Sequence, residues 1–363
     1  MTAPLMLVLA GGTGGHVYPA LAVARELQAR GYRVQWVGTR RGLESRVVPA
    51  AGINLHYLPV RGLRGKGLFD TLRGMLALLV SVVMALWLVL RLRPACVIGM
   101  GGYAAGPVGL MACLLRRPLV LHEQNAVAGT TNRLLAPFAP VRLSGLPDVF
   151  PARHAGEFVG NPVRAELTQA ARARQWDYDA ERPLRLLVLG GSLGARPINE
   201  VIVPLLLALK SAGCDPLPLV WHQCGDAHVE SVRRAYAAAD LEGVRCDAFI
   251  EDMAGAYAWS DLVLCRAGAL TIAELAVMAR PSLLVPLPHA IDDHQRRNAL
   301  YLTDHGAALL LPQTSLTAEG LAAQCLTLMR DPQRLAVMSR KAAACAMPGA
   351  AATVADRCEE VAK

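Results

Sequence analysis

A histidine closes the glycine cluster Gly11-Gly12-Thr13-Gly14-Gly15-His16. Without Cβ atoms, glycines let the backbone turn sharply and press its N–H groups against a ligand. The imidazole could donate to a phosphate, cap a helix, or serve as a general base near neutral pH. Spacing alone leaves the three open. About 180 residues later the pattern returns as Gly190-Gly191-Ser192-Leu193-Gly194. Further on, Thr271 and Glu274 are expected on the first turn of a helix that opens after Gly268. A carboxylate there could accept two hydrogen bonds from a ribose diol, or simply oppose the helix dipole.

Both glycine clusters sit behind apolar runs of strand length, Leu5 to Leu9 and Leu184 to Leu189. A helix is expected after each. The first runs from Val17 to about Arg30 with Pro19 near its start; the second runs from Pro197 towards Ala212 and stops at Gly213. A helix N-terminus aims unsatisfied N–H groups and a positive dipole end at the preceding turn, so each unit is a seat for a phosphate or diphosphate. The pairing predicts two α/β domains facing one cleft.

The alternation continues along the chain. Further strands are expected over 33–38, 55–60, 95–100, 118–121, 141–144 and 157–160, then over 218–223, 244–250, 261–265 and 282–286. Helices are expected over 42–51, 252–259 and 292–302, with an alanine-rich helical tail from about 318 to 363 broken at Pro348-Gly349. The polar set His122-Glu123-Gln124-Asn125 follows the strand at 118–121, where open α/β sheets place their ligands. The domains are expected at 1–162 and 163–345, and Arg61 to Gly67 reads as an exposed loop.

A hydrophobic fraction of 53% in 363 residues is ample for two cores. Nine scattered cysteines without a C-x-x-C pair read as reduced thiols of a cytosolic protein. Cys96, Cys113 and Cys265 lie in apolar surroundings and read as small buried hydrophobes. The net charge of +8 is concentrated between Arg40 and Arg93, where nine basic residues face two acidic ones, a net of +7. Such a segment suits nucleic acid, an anionic membrane face or a phosphorylated ligand. Sparse aromatics (5%) and the lack of an RNA-type aromatic motif count against nucleic acid.

Met75 to Leu90 is sixteen residues without a charge, with Ser81 its one conventional polar side chain. A spanning helix needs about 20 apolar residues, and an interfacial helix needs a polar face. Three readings stay open: a crossover helix on the sheet, a helix exposing apolar surface to a membrane, and a transmembrane span.

Other nucleotide chemistries fail on spacing. A dinucleotide fingerprint needs glycine where Val17 stands, and an acidic residue that Trp36-Val37-Gly38-Thr39 lacks. No glycine loop continues into the lysine of a P-loop. Asp177-Tyr178-Asp179 lies away from any strand end, and His289, Asp292, Asp293 and His294 match no standard metal spacing. No metal and no cofactor is expected.

The ordered motifs resemble the family of peptidoglycan N-acetylglucosaminyltransferases. The resemblance rests on the glycine cluster ending at His16, Gly99-Met100-Gly101-Gly102-Tyr103 and His122-Glu123-Gln124-Asn125. It continues through Gly160-Asn161-Pro162-Val163-Arg164, Gly190 to Arg196, and Cys265 to Glu274. It implies a GT-B architecture of two Rossmann-like domains, whose C-terminal helix, about 346–363, packs back on the first domain. It also implies an inverting transfer of N-acetylglucosamine from UDP to the 4-hydroxyl of undecaprenyl-diphosphate-linked N-acetylmuramyl-pentapeptide (lipid I), giving lipid II. With no metal motif, helix N-termini and loop amides would stabilise the departing diphosphate.

By the same resemblance, His16 is the leading candidate base. The donor contacts would be Thr13, Gly14, Gly15, Asn125, Arg164, Ser192, Ile250, Ala269, Leu270, Thr271, Ile272, Ala273, Glu274 and Gln295. Glu274 would hold the ribose, Ile250 would lie at the uracil and Ser192 at the diphosphate. The segment His289 to Arg297, which holds Gln295, departs from the family's glutamine-rich Q-H-K-D-R-Q-Q. The first domain is expected to dock peripherally on the anionic cytoplasmic face of the cell membrane. Competing classes are a non-catalytic sugar-nucleotide binding protein and a GT-B transferase with another acceptor. Retention of His16, Asn125 and Glu274 argues against the former.

Overall fold

The apolar run Leu5–Leu9 forms strand β1, buried along its whole length. A strand without polar alternation needs cover on both faces, as in a parallel sheet between helices. That is its setting in the computed structural model, which describes residues 3–60, 68–173, 176–191 and 194–363. After β1 come α1 (Gly14–Ala29), β2 (Arg33–Gly38), α2 (Glu44–Ala50), β3 (Asn54–Tyr57) and α3 (Leu68–Leu92). Then follow β4 (Cys96–Gly99), α4 (Ala105–Leu114), β5 (Leu119–Glu123), α5 (Thr130–Leu135), β6 (Val141–Ser144) and β7 (Glu157–Phe158). Among the described residues these strands form one seven-stranded parallel sheet, ordered β3-β2-β1-β4-β5-β6-β7.

The second half opens with α6 (Ala165–Ala173), β8 (Arg185–Leu189), α7 (Arg196–Ser211), β9 (Leu219–Gln223) and α8 (Val229–Ala238). It continues with β10 (Val244–Asp247), α9 (Met253–Trp259), β11 (Leu262–Cys265), α10 (Ala269–Val277) and β12 (Ser282–Leu284). It ends with α11 (His294–Asp304), β13 (Ala308–Leu310), α12 (Ala318–Met329) and α13 (Pro332–Ala344). The described strands here make a six-stranded parallel sheet, ordered β10-β9-β8-β11-β12-β13. The last helix, α14 (Ala350–Ala362), belongs to the first half. One compact unit is therefore 1–164 with 348–363, and the other is 165–347.

Several elements depart from expectation. Helix α1 starts at Gly14, so the end of the glycine cluster is already helical: the Thr13 carbonyl accepts from His16 and Val17 N–H at 3.1 and 3.2 Å. The helical tail carries an additional break at Arg330-Asp331. There Asp331 caps α13 by accepting from the Arg334 N–H at 2.9 Å, with Pro332 at the first helical position. Helices α4, α5 and α8 and strand β13 had no expectation attached. The expected loop Arg61 to Gly67 lies outside the described residues.

Helix α14 buries Val354, Ala355 and Cys358 in the unit 1 core, against a set that includes Val17, Leu21, Cys96 and Ile98. Its polar side is tied down by ions. Arg30 pairs with Asp356 at 2.6 Å and Glu359 at 3.3 Å, and Arg357 pairs with Glu157 at 2.8 Å. Partly exposed pairs contribute little individually. Arg30→Ala is expected to lower stability by about 1 kcal/mol, read as a fall of a few degrees in Tm; an unchanged Tm would show that α14 is held by apolar packing alone.

Helix α3 is longer than the expected 75–90, and Gly74–Leu92 is long and apolar enough to cross a membrane by length and composition. Its connections decide otherwise. Its ends join β3 and β4 of one parallel sheet, which makes it a crossover helix. The face it buries is mostly small: Gly74, Ser81 and Ala85, with Leu88 and Val89 nearer its end. Small residues let it lie close to α4. The large side chains point out, with Leu76 63% and Trp87 57% exposed, together with Met75, Leu79, Val83 and Leu90. Leu110, Leu114, Leu134 and Phe138 are also exposed on unit 1. This is the reverse of an ordinary amphipathic helix on a soluble domain.

Candidate active site

In both sheets the strand order reverses once, between β1 and β4 in unit 1 and between β8 and β11 in unit 2. The two glycine clusters follow β1 and β8, so each lies at the switch point where open α/β sheets bind ligands.

In unit 1 the loop after β1 and the loop after β4 are pressed together. A Cβ on Gly101 would lie 2.4 Å from Cδ2 of the His16 ring, and one on Gly102 would lie 2.7 Å from the Gly11 carbonyl oxygen. Both glycines have positive φ, +99° and +86°, so any other residue would be strained as well as crowded. The loop after β4 thus forms the seat for the imidazole. Below it, the Trp36 indole N–H donates to the Ala10 carbonyl at 2.7 Å and fixes where β1 ends. Thr13 is exposed, while Gly14, Gly15 and His16 are half-buried on the first turn of α1. Arg164 carries its guanidinium 5.6 Å from the centre of the Tyr18 ring, two residues beyond His16 on α1.

His122 and Glu123 are not loop residues, as expected from sequence, but the buried end of β5. His122 Nε2 lies 2.9 Å from the Gly160 carbonyl oxygen and must donate to it, so Nδ1 accepts from the Gln124 amide at 3.1 Å. Burial pushes its pKa down to about 4, and the ring is neutral and structural. Glu123 shapes the next residue. Its Oε1 accepts from the Asn125 backbone and side-chain N–H groups at 3.1 and 3.3 Å, and its Oε2 accepts from Gly129 N–H and Asn132 Nδ2 at 2.9 Å each. Asn125, half-buried, is thereby held at the mouth of β5.

In unit 2, Gly190 and Gly191 follow β8, and Ser192 lies outside the described residues. The Gln223 amide donates to the Gly191 carbonyl at 3.1 Å, and Asn199 donates to the Cys224 carbonyl at 2.9 Å. Asn199 also contacts His222, whose pKa burial pushes down to about 4. Across the switch point, α10 opens at Ala269, one residue after Gly268. Glu274 therefore stands on the second turn rather than the first. It is buried, and its Oε2 accepts from the Tyr257 hydroxyl at 3.1 Å. Nothing in the sequence pattern singles out Tyr257 as that partner.

The other expected contacts divide by exposure. Ala269 and Ile272 are buried, while Leu270, Thr271 and Ala273 are half-buried on α10. Ile250 is buried just beyond β10. Gln295 is half-buried, and its carbonyl accepts from Leu287 N–H at 2.9 Å, bracing the loop after β12. Arg266, part of the Cys265 to Glu274 motif but with no role expected of it, ties that same loop to β11 by donating to the Val285 and Pro286 carbonyls and to Gln313.

Within the two patterns set aside as metal sites, three residues have ordinary roles. Tyr178 is in the core, Asp179 accepts from Glu181 N–H at 3.0 Å, and Asp293 pairs with Arg296 at 3.7 Å. Among the described residues no three His, Cys, Asp or Glu side chains group as metal ligands.

The glycosyltransferase family 28 N-terminal domain matches residues 6–141, and the family's C-terminal domain matches residues 185–354. The chain belongs to glycosyltransferase family 28. Over 357 residues it is 52% identical to a Stutzerimonas stutzeri protein named UDP-N-acetylglucosamine–N-acetylmuramyl-(pentapeptide) pyrophosphoryl-undecaprenol N-acetylglucosamine transferase, covering 98% of each chain. A Pseudomonas aeruginosa protein of the same name is 51% identical over 358 residues, with 99% of each covered. The crystal structure of Acinetobacter baumannii MurG matches with a TM-score of 0.80 at 38% identity, over 99% of each chain. The calicheamicin glycosyltransferase CalG4 shares the fold, at 18% identity and a TM-score of 0.65. The architecture is that of GT-B glycosyltransferases, two α/β domains each built on a parallel sheet.

Proposed function

We propose that this family 28 glycosyltransferase moves N-acetylglucosamine from UDP-N-acetylglucosamine to the 4-hydroxyl of lipid I, the undecaprenyl-diphosphate-linked N-acetylmuramyl-pentapeptide, giving lipid II. The observation that carries the reading is the 52% identity, over 98% of both chains, to a relative named for that transfer. The chemistry is a single inverting displacement. The acceptor oxygen bonds to the anomeric carbon, the bond from that carbon to UDP breaks, and His16 takes the hydroxyl proton. UDP leaves with the electron pair as a diphosphate anion, stabilised by helix N-termini and loop amides.

The donor contacts carried by unit 1 are Thr13, Gly14, Gly15, Asn125 and Arg164. Those carried by unit 2 are Ser192, Ile250, the run Ala269 to Glu274, and Gln295. Glu274 accepts from the ribose diol. Ile250 lies at the uracil and Ser192 at the diphosphate. Labelled UDP-N-acetylglucosamine incubated with a lipid I analogue tests the whole reading: a disaccharide-bearing lipid product supports it, and its absence with active acceptor overturns it.

An acceptor with a polyprenyl tail brings the enzyme to a bilayer. The exposed apolar face of α3 supports peripheral docking, together with Arg91 and Arg93 at its end, on the cytoplasmic face of the membrane. Arg91 lies over the Trp87 ring at 4.9 Å, a basic and aromatic pair suited to a headgroup region. Each basic residue near an anionic surface contributes about 1 kcal/mol, and salt screens it. Flotation with anionic vesicles is expected to fall but persist at high salt, because apolar insertion resists screening. Binding indifferent to lipid charge would remove the electrostatic part, and release only by detergent would favour a spanning helix.

A further inference from the structure

Glu44 opens α2, and although it is a carboxylate it is fully buried, at 0% exposure. Its Oε2 accepts from the Gly12 N–H at 2.9 Å. Its Oε1 accepts from the Thr39 N–H at 2.8 Å and from the Thr39 hydroxyl at 2.9 Å. Gly12 lies just past β1 and Thr39 just past β2, its neighbour in the sheet, so one side chain binds two strand ends to α2. The adjacent Leu43 N–H donates to the Gly12 carbonyl at 3.1 Å. Both polar groups of residue 12 are therefore gripped from α2 and its cap.

The surrounding backbone is built around this carboxyl group. A Cβ on Gly11 would lie 2.6 Å from Oε1, one on Gly38 2.5 Å from Cγ, and one on Gly42 1.9 Å from Oε2. Three glycines from three segments give the group room. A buried carboxylate is costly unless donors meet its oxygens, so the group fixes the position of each donor it holds. Gly12 is followed directly by Thr13, whose carbonyl accepts from His16 and Val17 N–H. The register of the Gly12 peptide is thus passed within one residue to the turn that carries His16.

We propose that Glu44 is a positioning residue for the transfer reaction, holding the loop after β1 so that Thr13 and His16 meet the substrates in one fixed geometry. The proposal rests on the reading of His16 as the base. Glu44 acts through the Gly12 amide and touches neither substrate. The sequence showed it only as one of two acids in a basic segment.

The discriminating variant is Glu44→Gln. It keeps the volume but turns an N–H towards a donor that needs an acceptor, at either Gly12 or Thr39. Amide hydrogen exchange of the peptide spanning 9–17 is expected to quicken at least tenfold. The same variant should lose roughly ten- to a hundredfold in kcat with a lipid I analogue. The affinity for UDP by calorimetry should fall far less than kcat, because Ile250, assigned to the uracil, and Glu274, assigned to the ribose, are in the other unit. Glu44→Asp, which keeps the charge on a shorter arm, should fall between wild type and Glu44→Gln in kcat. A merely structural role would lower Tm without moving kcat per folded molecule.

If Glu44→Gln fails to fold, Thr39→Val removes one of the three donors and should show the same exchange and kcat changes at smaller amplitude. Unchanged exchange in the 9–17 peptide would overturn the proposal, as would faster exchange with unchanged kcat. A wild-type chain that makes no disaccharide product would overturn the assigned reaction instead, and the exchange result would still decide whether Glu44 holds the loop.

Discussion

His16→Ala is expected to lower kcat by about 10²–10⁴-fold, the usual contribution of a positioned general base. His16 sits on the first turn of α1, half-buried, with its ring packed so closely against residue 101 that only glycine fits there. A ring clamped in this way loses little freedom when substrate arrives, and fixed geometry is what a proton acceptor needs. Affinity for UDP should change less than threefold, since the nucleotide contacts assigned to unit 2 are untouched. Steady-state rates with a lipid I analogue, alongside calorimetry with UDP, separate the two effects. A kcat within twofold of wild type would move the base elsewhere. A companion variant, Gly101→Ala, leaves the imidazole in the chain but intrudes on its seat at 2.4 Å. It should lose kcat as well, although the His16 side chain is unchanged.

How far the sequence alone could see is decided by the kind of information each feature needs. The two glycine clusters announce themselves because turn, strand and helix are local, and both fall at the switch points of the observed sheets. The carboxylates were harder. Glu274 was visible as a candidate, but its place on the second turn of α10 depends on where the helix nucleates, a matter of one or two residues. Tyr257, which donates to it, lies 17 positions away on another helix, and no periodicity links the two. Glu44 stood beside arginines in a charged stretch. Its burial depends on glycines at 11, 38 and 42, brought together only when β1, β2 and α2 assemble. His122 erred in the opposite direction. Its polarity reads as loop after the apolar run Leu119 to Leu121, whereas pairing with β6 extends the strand to Glu123. Helix α3 showed why composition is ambiguous: its apolar length fits a membrane span, yet strand connectivity makes it a crossover.

The second large effect is expected at Glu274. Replacing it with alanine should weaken UDP binding by about 1–3 kcal/mol, roughly 5- to 150-fold in Kd. In the buried setting of Glu274, one carboxylate oxygen already accepts from the Tyr257 hydroxyl at 3.1 Å, which orients the group. A ribose diol bound there would meet a carboxylate held in place rather than one that must be ordered on binding. Alanine leaves both the Tyr257 hydroxyl and the ribose hydroxyls short of an acceptor in a water-poor site, and an unmet buried donor costs more than a hydrogen bond returns. Tyr257→Phe removes only the orienting bond and should weaken UDP binding less than Glu274→Ala does. The decisive comparison uses 2′-deoxy-UDP. If Glu274 reads the diol, the wild-type chain should lose affinity for the deoxy ligand, while Glu274→Ala should bind UDP and 2′-deoxy-UDP almost equally, because the interaction is already absent. Calorimetry on all four combinations gives the coupling directly. A coupling near zero, with Glu274→Ala folded and still weak for UDP, would mean that Glu274 supports the site through Tyr257 and α10 without touching the ribose.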